Sequence, residues 1–293
     1  MLSLHTNAAT LSAQNSLSRT QNSLSTSMTR LSTGYRINSA MDDAAGLQIA
    51  TRLKAQTSGM AVAMRNTQNS ISMLQTAEGA LDEVTNILTR MKDLATQSAD
   101  GSSGADDRTA MQAEFDSLSD ELGNILSNTK FGGTALLTDT AGKLATAIQF
   151  QIGADEAETM SGDFTAELAA VHTDIVAAAT QYDGAAATPA AAAGTEIATD
   201  TAANGAIGKL ATAIDSVGAL RSKIGAVSNR LDHVYNNLSN ISNNTKNATG
   251  RIMDVDFATE SSNMTSKQML MQAGTAMLKQ TNSMSSMVMS LLQ

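Results

Sequence analysis

Residues 209–242 carry an a/d seam that constrains this chain more than any other stretch. Leu210, Val217, Ile224, Leu231 and Leu238 stand seven apart, and Ala213, Leu220, Val227, Val234 and Ile241 interleave three residues later. Apolar positions every 3.5 residues over about five heptads specify a helix of roughly 50 Å with one apolar stripe. Such a stripe needs another long helix to cover it. The matching stretch lies upstream: Ala50, Leu53, Thr57, Met60, Met64, Thr67, Ile71 and Leu74. After a three-residue slip it continues through Ala77, Leu81, Val84, Leu88, Met91 and Ala95. A slip of three overwinds a supercoil locally without ending it. The two stretches are far apart in sequence, so the chain is expected to fold back and pair its halves. The expected class is mainly α, built on long antiparallel coiled-coil helices, with Leu74, Leu81 and Leu88 facing the seam.

Composition supports extended helix packing. Aromatic residues make up 3% of the chain, with no Trp and a single Pro, fewer than a compact enzyme core of this size usually holds. The absence of Cys removes disulfides, thiolate catalysis and thiolate metal sites together. A net charge of −9 argues against nucleic acid as a partner. All 28 carboxylates lie in 42–260, leaving both ends of the chain free of acid. No run approaches the roughly 18 apolar residues of a spanning helix, so no membrane insertion is expected. The first charge is Arg19, so no cleavable signal is visible. The chain is expected to stay in the cytoplasm or to leave it by a route that cleaves no signal.

In chain order, residues 1–34 are mostly Ser, Thr, Asn and Gln, punctuated by Leu4, Leu11, Leu17, Leu24, Met28 and Leu31. This thin stripe on weak helix formers should fray alone and form a helix against partners. The segment 34–46 breaks the pattern. Asn38 and Ser39 offer cap chemistry there, and Asp42 and Asp43 suit a helix start. The first long helix is expected from about Ala44 to Ser98, and a shorter one from about Asp106 to Ser127, closed by Phe131-Gly132-Gly133. A small hairpin or strand pair is expected within 134–164, around Leu136-Leu137 and Gln149–Ile152. Residues 166–205 are Ala-rich, with few large apolar side chains to build a core. The seam helix should break near Asn244 to Gly250. A last helix then carries Leu270, Met277, Met284 and Leu291 at intervals of seven.

No catalytic constellation is present in this pattern. The three His, at 5, 172 and 233, fall in different segments and none stands in an HExxH metal motif. His233 is expected to be a solvated helix residue and His172 to lie on a mobile loop. Asp42-Asp43 reads as helix-start charge rather than a metal or acid–base pair, because no third ligand is in reach. The Met-rich tail reads as packing.

The blocks LSTGYRINSAMDDAAGLQIATRL (31–53), LTRMKDLATQSA (88–99), NTKFGGTALL (128–137), IQFQIGADEAETM (148–160), IGAVSNRLDHVYNNL (224–238) and DVDFATESSNMTSKQMLMQAGTAML (254–278) together resemble the bacterial flagellins, subunits of the flagellar filament. The resemblance covers about 1–160 and 205–293. It implies a non-enzymatic structural subunit that needs no cofactor and polymerises with itself. In that reading 1–43 and 254–293 are terminal helices that pair into an inner coiled coil. Its assembly positions are Leu4, Leu11, Leu24, Leu31, Leu270, Met277, Met284 and Leu291. Residues 44–165 and 205–253 form the helical rod with its small β region, and 166–204 a short, reduced outer segment. The resemblance further implies type III export with a flagellin chaperone, contacts with hook–filament junction and cap proteins, and an extracellular filament. It also implies sensing by Toll-like receptor 5 through Arg90, Leu94 and Glu114, with Leu94 as an exposed apolar anchor. A hook–filament junction adaptor and a coiled-coil signalling rod are the alternatives. Acid-free, thinly apolar ends at both termini speak against a rod, and matching blocks at 88–137 speak against an adaptor.

Overall fold

The structure, a computed structural model, describes residues 8–182 and 194–291. Six helices dominate: α1 Ala8–Thr33, α2 Ala44–Ser98, α3 Ala105–Asn128, α4 Thr165–Ala178, α5 Asp200–Met253 and α6 Phe257–Leu291. Between α3 and α4 lie two antiparallel hairpins, β1 Lys130–Phe131 with β2 Thr134–Ala135, and β3 Ile148–Gln151 with β4 Thr159–Gly162. The chain divides into two compact units, Ser58–Ser242 and Met1–Thr57 with Asn243–Gln293.

In the 58–242 unit the seam is buried as its period demands. Leu210, Val217, Ile224, Leu231 and Leu238 of α5 and Leu74, Leu81 and Leu88 of α2 all lie in the interior. α2 and α5 run antiparallel. The α2 residues Asp82 and Ser98 contact Arg221 and Ile197 respectively, and Met60 packs with Leu238, so numbers rise on one side as they fall on the other. The seam is not covered by α2 alone. One continuous core also takes in Met111, Phe115 and Leu122 of α3, Phe150 and Met160 of the second hairpin, and Leu168, Val171 and Ile175 of α4. The seam also drifts: Ile241 is exposed and Ser242 is buried in its place. A straight helix slips about 20° per heptad against a strict seven-residue repeat. The last d position has therefore rotated out.

Three expectations are corrected here. The β region begins earlier than 134, because Gly132 and Gly133, both at positive φ (58° and 84°), make the two-residue turn that a tight hairpin requires. Leu136 and Leu137 are buried core residues outside any strand. α5 continues unbroken through Asn244–Gly250 to Met253. Single weak helix formers cost only about 0.5–1 kcal/mol each, too little to interrupt a helix of 54 residues. Finally, His172 lies on α4, not on a mobile loop. Leu168, Val171, His172, Ile175 and Ala178 are buried, and their helical spacing lets one face of α4 close over the core.

Candidate assembly surface

In the unit of 1–57 with 243–293, the two chain breaks lock together through backbone. Gly34, at φ 76°, turns the chain out of α1. The Arg36 N–H donates to the Met253 carbonyl (2.6 Å), and the Val255 N–H donates to the Gly34 carbonyl (3.0 Å). The Arg36 guanidinium adds a bond to the Ile252 carbonyl (2.8 Å). Asp42 accepts the N–H groups of Asn38 (3.1 Å) and Ser39 (2.9 Å), with Arg30 3.8 Å away. The Asn38 N–H, then the Ser39 N–H, hold the Asp42 carboxyl below the usual carboxylate range. Asp43 accepts the Gly46 N–H (2.9 Å) at the start of α2. Asp256 does the same for α6, accepting from the Thr259 hydroxyl (2.6 Å) and the Ala258 N–H (3.0 Å). The Thr259 hydroxyl is the largest influence keeping Asp256 low. Asp42 and Asp43 thus serve orphan N–H groups at a turn and a helix start.

α1 packs against α6 in this unit. Leu24 and Ser27 are buried on α1 and Glu260 on α6. Lys267 donates to the Ser27 hydroxyl (2.9 Å) and the Ser23 carbonyl (3.4 Å). The half-buried α6 residues Met264, Lys267, Met271, Gly274 and Leu278 recur at threes and fours, which marks the stripe facing α1. Leu270 and Met277 lie on a different face, about a quarter turn away, and are 61% and 66% exposed.

The eight predicted assembly positions therefore separate. Leu24 is buried and Leu31 half-buried within the chain, whereas Leu11, Leu270 and Met277 are exposed. Leu4 lies outside the described residues, as do the side chains of Met284 and Leu291.

The predicted receptor triad, in the other unit, is only partly assembled as expected. The Arg90 guanidinium grips Glu114 Oε1 through Nε (2.9 Å) and a terminal nitrogen (2.6 Å), and both side chains are about half exposed. Leu94 is not an exposed anchor. It is 2% exposed and shares the core with Met111 and Phe115 of α3. On α2, Arg90 thus faces outward to Glu114 while Leu94, four residues on, faces the core.

Sequence reasoning missed a polar clasp that joins α3 to Thr180 and to residues 194–197. Gln112 donates to Asp116 (2.8 Å) and Glu196 (2.9 Å) and accepts the Ile197 N–H (2.8 Å). Asp116 accepts the Gly194 N–H (3.0 Å), and Glu196 accepts the Thr180 N–H (2.7 Å). Burial pushes Glu196 up, but hydrogen bonds from Thr180 and Gln112 outweigh it and hold the carboxyl low. Beside the clasp, buried His172 meets the Tyr182 hydroxyl at Nδ1 and the Leu137 carbonyl at Nε2 (2.8 Å). No local pattern announces a pairing between residues 84 positions apart, such as Gln112 and Glu196.

His233 is exposed on α5 and lines an open groove of about 500 Å³ with Arg230, Ser161 and Met160. Among the described residues no cluster of His, Asp or Glu could hold a metal, and no helix is long and apolar enough to cross a membrane.

Comparison with known proteins follows the helices. Residues 4–142 match the bacterial flagellin N-terminal helical region, and 207–292 match the bacterial flagellin C-terminal helical region. Polar flagellin F of Vibrio parahaemolyticus is 47% identical over 173 residues, 59% of this chain and 44% of that one. Flagellin C of Vibrio cholerae is 48% identical over 159 residues, 54% of this chain and 41% of that one. The matched part of this chain thus spans less than half the length of these curated relatives. The solved structure of a candidate flagellar hook-associated protein from Vibrio parahaemolyticus superposes with a TM-score of 0.55 at 18% identity, covering 73% of this chain and 100% of that one. At that identity the likeness is one of fold.

Proposed function

This chain belongs to the bacterial flagellin family, a family of structural proteins rather than enzymes, and from that premise we propose that it polymerises into a flagellar filament for motility. The observation that carries the reading is the exposed heptad of α6. Leu270 and Met277 stand within 261–293, a stretch without acidic side chains, on a face that α1 leaves uncovered. Burying a side chain of this kind contributes about 1.5–3 kcal/mol. A helical lattice repeats that gain in every subunit.

Leu270→Asp or Met277→Asp tests it. A carboxylate carried into such an interface without a partner costs several kcal/mol. Electron microscopy after salt-induced assembly should show long uniform filaments for the wild type and none for either variant. The thermal melt of the helical core should hardly move, since neither side chain belongs to it. Normal filaments from both variants would refute this assignment of the assembly face. Wild-type protein that stops at short end-pieces would favour the hook–filament junction reading.

The same proposal carries the expected partners. They are a flagellin chaperone and the type III apparatus during export, the junction and cap proteins at the filament ends, and an extracellular location. The division into terminal assembly helices, helical rod and reduced outer segment belongs to it as well. Recognition by Toll-like receptor 5 is proposed through the exposed Arg90–Glu114 pair alone, since Leu94 is enclosed. In a receptor-reporter assay with monomer, Arg90→Ala and Glu114→Ala should each weaken the response. A silent wild type would overturn the recognition, and two fully active variants would overturn these contacts.

A further inference from the structure

Methionine is the principal oxidisable side chain in this protein: there are 17 Met, no Cys and no Trp. Among the described side chains, some of these sulfurs are enclosed and others stand open. Met60, Met73, Met91, Met111 and Met160 are buried in the helical core. Met28 on α1 (55% exposed) and Met269 and Met277 on α6 (59% and 66%) stand open on the terminal helices. Met277 shares its helix face with Leu270, the face assigned above to assembly.

We propose that Met28, Met269 and Met277 form a peroxide-sensitive modification site whose oxidation blocks polymerisation. The inference rests on the polymer reading above and goes beyond it. Chemically, a methionine sulfur lone pair takes one oxygen from a hydroperoxide. An S–O bond forms as the O–O bond breaks, and hydrogen peroxide leaves as water. Methionine is oxidised by two electrons and the peroxide reduced by two. The product is a polar, chiral sulfoxide in place of an apolar thioether.

Two consequences follow from the geometry. Oxidation should be selective, because exposure controls access to the sulfur and the core methionines have almost none. It should also leave the fold intact, because none of the three side chains is buried. What changes is the apolar character of the open face. Its polar sulfoxide oxygen would have to enter a contact that offers it no donor. Oxidation therefore gates the free subunit, whereas a subunit already in a polymer has the Met277 sulfur covered.

The test uses the full chain and dilute hydrogen peroxide. Site-resolved mass spectrometry should show Met28, Met269 and Met277 oxidising at least about tenfold faster than Met60, Met91 and Met160, with exposed Met41 as the accessibility standard. Filament yield should fall at least about tenfold as the Met277 sulfoxide accumulates, with the core melt unchanged. Methionine sulfoxide reductase should restore yield, and filaments treated after assembly should resist oxidation at Met277. Met277→Gln, a lasting polar replacement, should depress assembly without peroxide. Complete sulfoxide at Met269 and Met277 with normal filament yield overturns the proposal. So does repair that leaves yield low, or a core melt that drops with oxidation. If untreated protein forms no filament at all, the polymer reading fails first, and this inference with it.

Discussion

His172 shows how one buried polar residue sets a pH dependence. The Leu137 carbonyl can only accept, so Nε2 carries the proton, Nδ1 accepts, and the Tyr182 hydroxyl donates to it. Burial pushes the His172 pKa below its usual value of 6.5, against a smaller upward pull from the Leu137 carbonyl and Asp139. The unfolded chain therefore binds more protons than the native state just below pH 6.5. The stabilisation is present in full above that pH and is lost as pH falls through the window beneath it. The melting temperature should accordingly drop between pH 7.5 and 5, and His172→Gln should flatten that step; an equal step in the variant would refute the assignment. Asp42, Asp163 and Asp256 have lowered pKa values from hydrogen bonds at turns and helix starts. Their sign is the same but their window lies lower, below about pH 4.

At the scale of elements, the contrast between Leu231 and Ile241 on α5 separates sequence pattern from burial. Both stand on the seam in sequence, yet Leu231 is fully enclosed and Ile241 is exposed. Leu231→Ala should cost about 2–5 kcal/mol through lost contacts and a cavity, and Ile241→Ala about 0.5 kcal/mol or less. Chemical denaturation of the two variants measures this directly, and equal costs would mean that the seam does not drift. The pairs Arg221–Asp82 (2.9 Å) and Lys223–Glu167 (2.7 Å) join α5 to α2 and α4. Being partly exposed, they set register more than stability.

For the whole molecule, the two units differ in how much side chain each encloses. The 58–242 unit has a continuous core drawn from α2, α3, α4, α5 and the hairpins. In the other unit, among the described side chains, α1 and α6 bury only Leu24, Ser27 and Glu260. Local opening free energy follows buried contact. Hydrogen exchange of the free chain should find amides of 71–95 slow and those of 8–33 and 257–283 fast. Assembly should then slow the second group. Strong protection of both tails in the free chain would refute the idea that their order comes from partners.

The sequence by itself determined what depends on local repetition. The limits of α2 and the existence of α3, α5 and α6 follow from apolar spacing and helix-start Asp residues. The blocks of 31–53 and 254–278 carry the family. Tertiary structure alone decided which neighbour covers each face. Leu94 sits one turn from Arg90 on α2, yet the core encloses it. Ile241 keeps the seven-residue interval and loses its cover, while Leu24 and Leu270 share a tail pattern and meet opposite fates. α4 came from a stretch too Ala-rich to hold a core alone, and is buried because α5, Leu137 and Tyr182 supply the rest. A period encodes an angle around one helix axis. Burial depends on what stands at that angle, and that is settled only when distant segments pack.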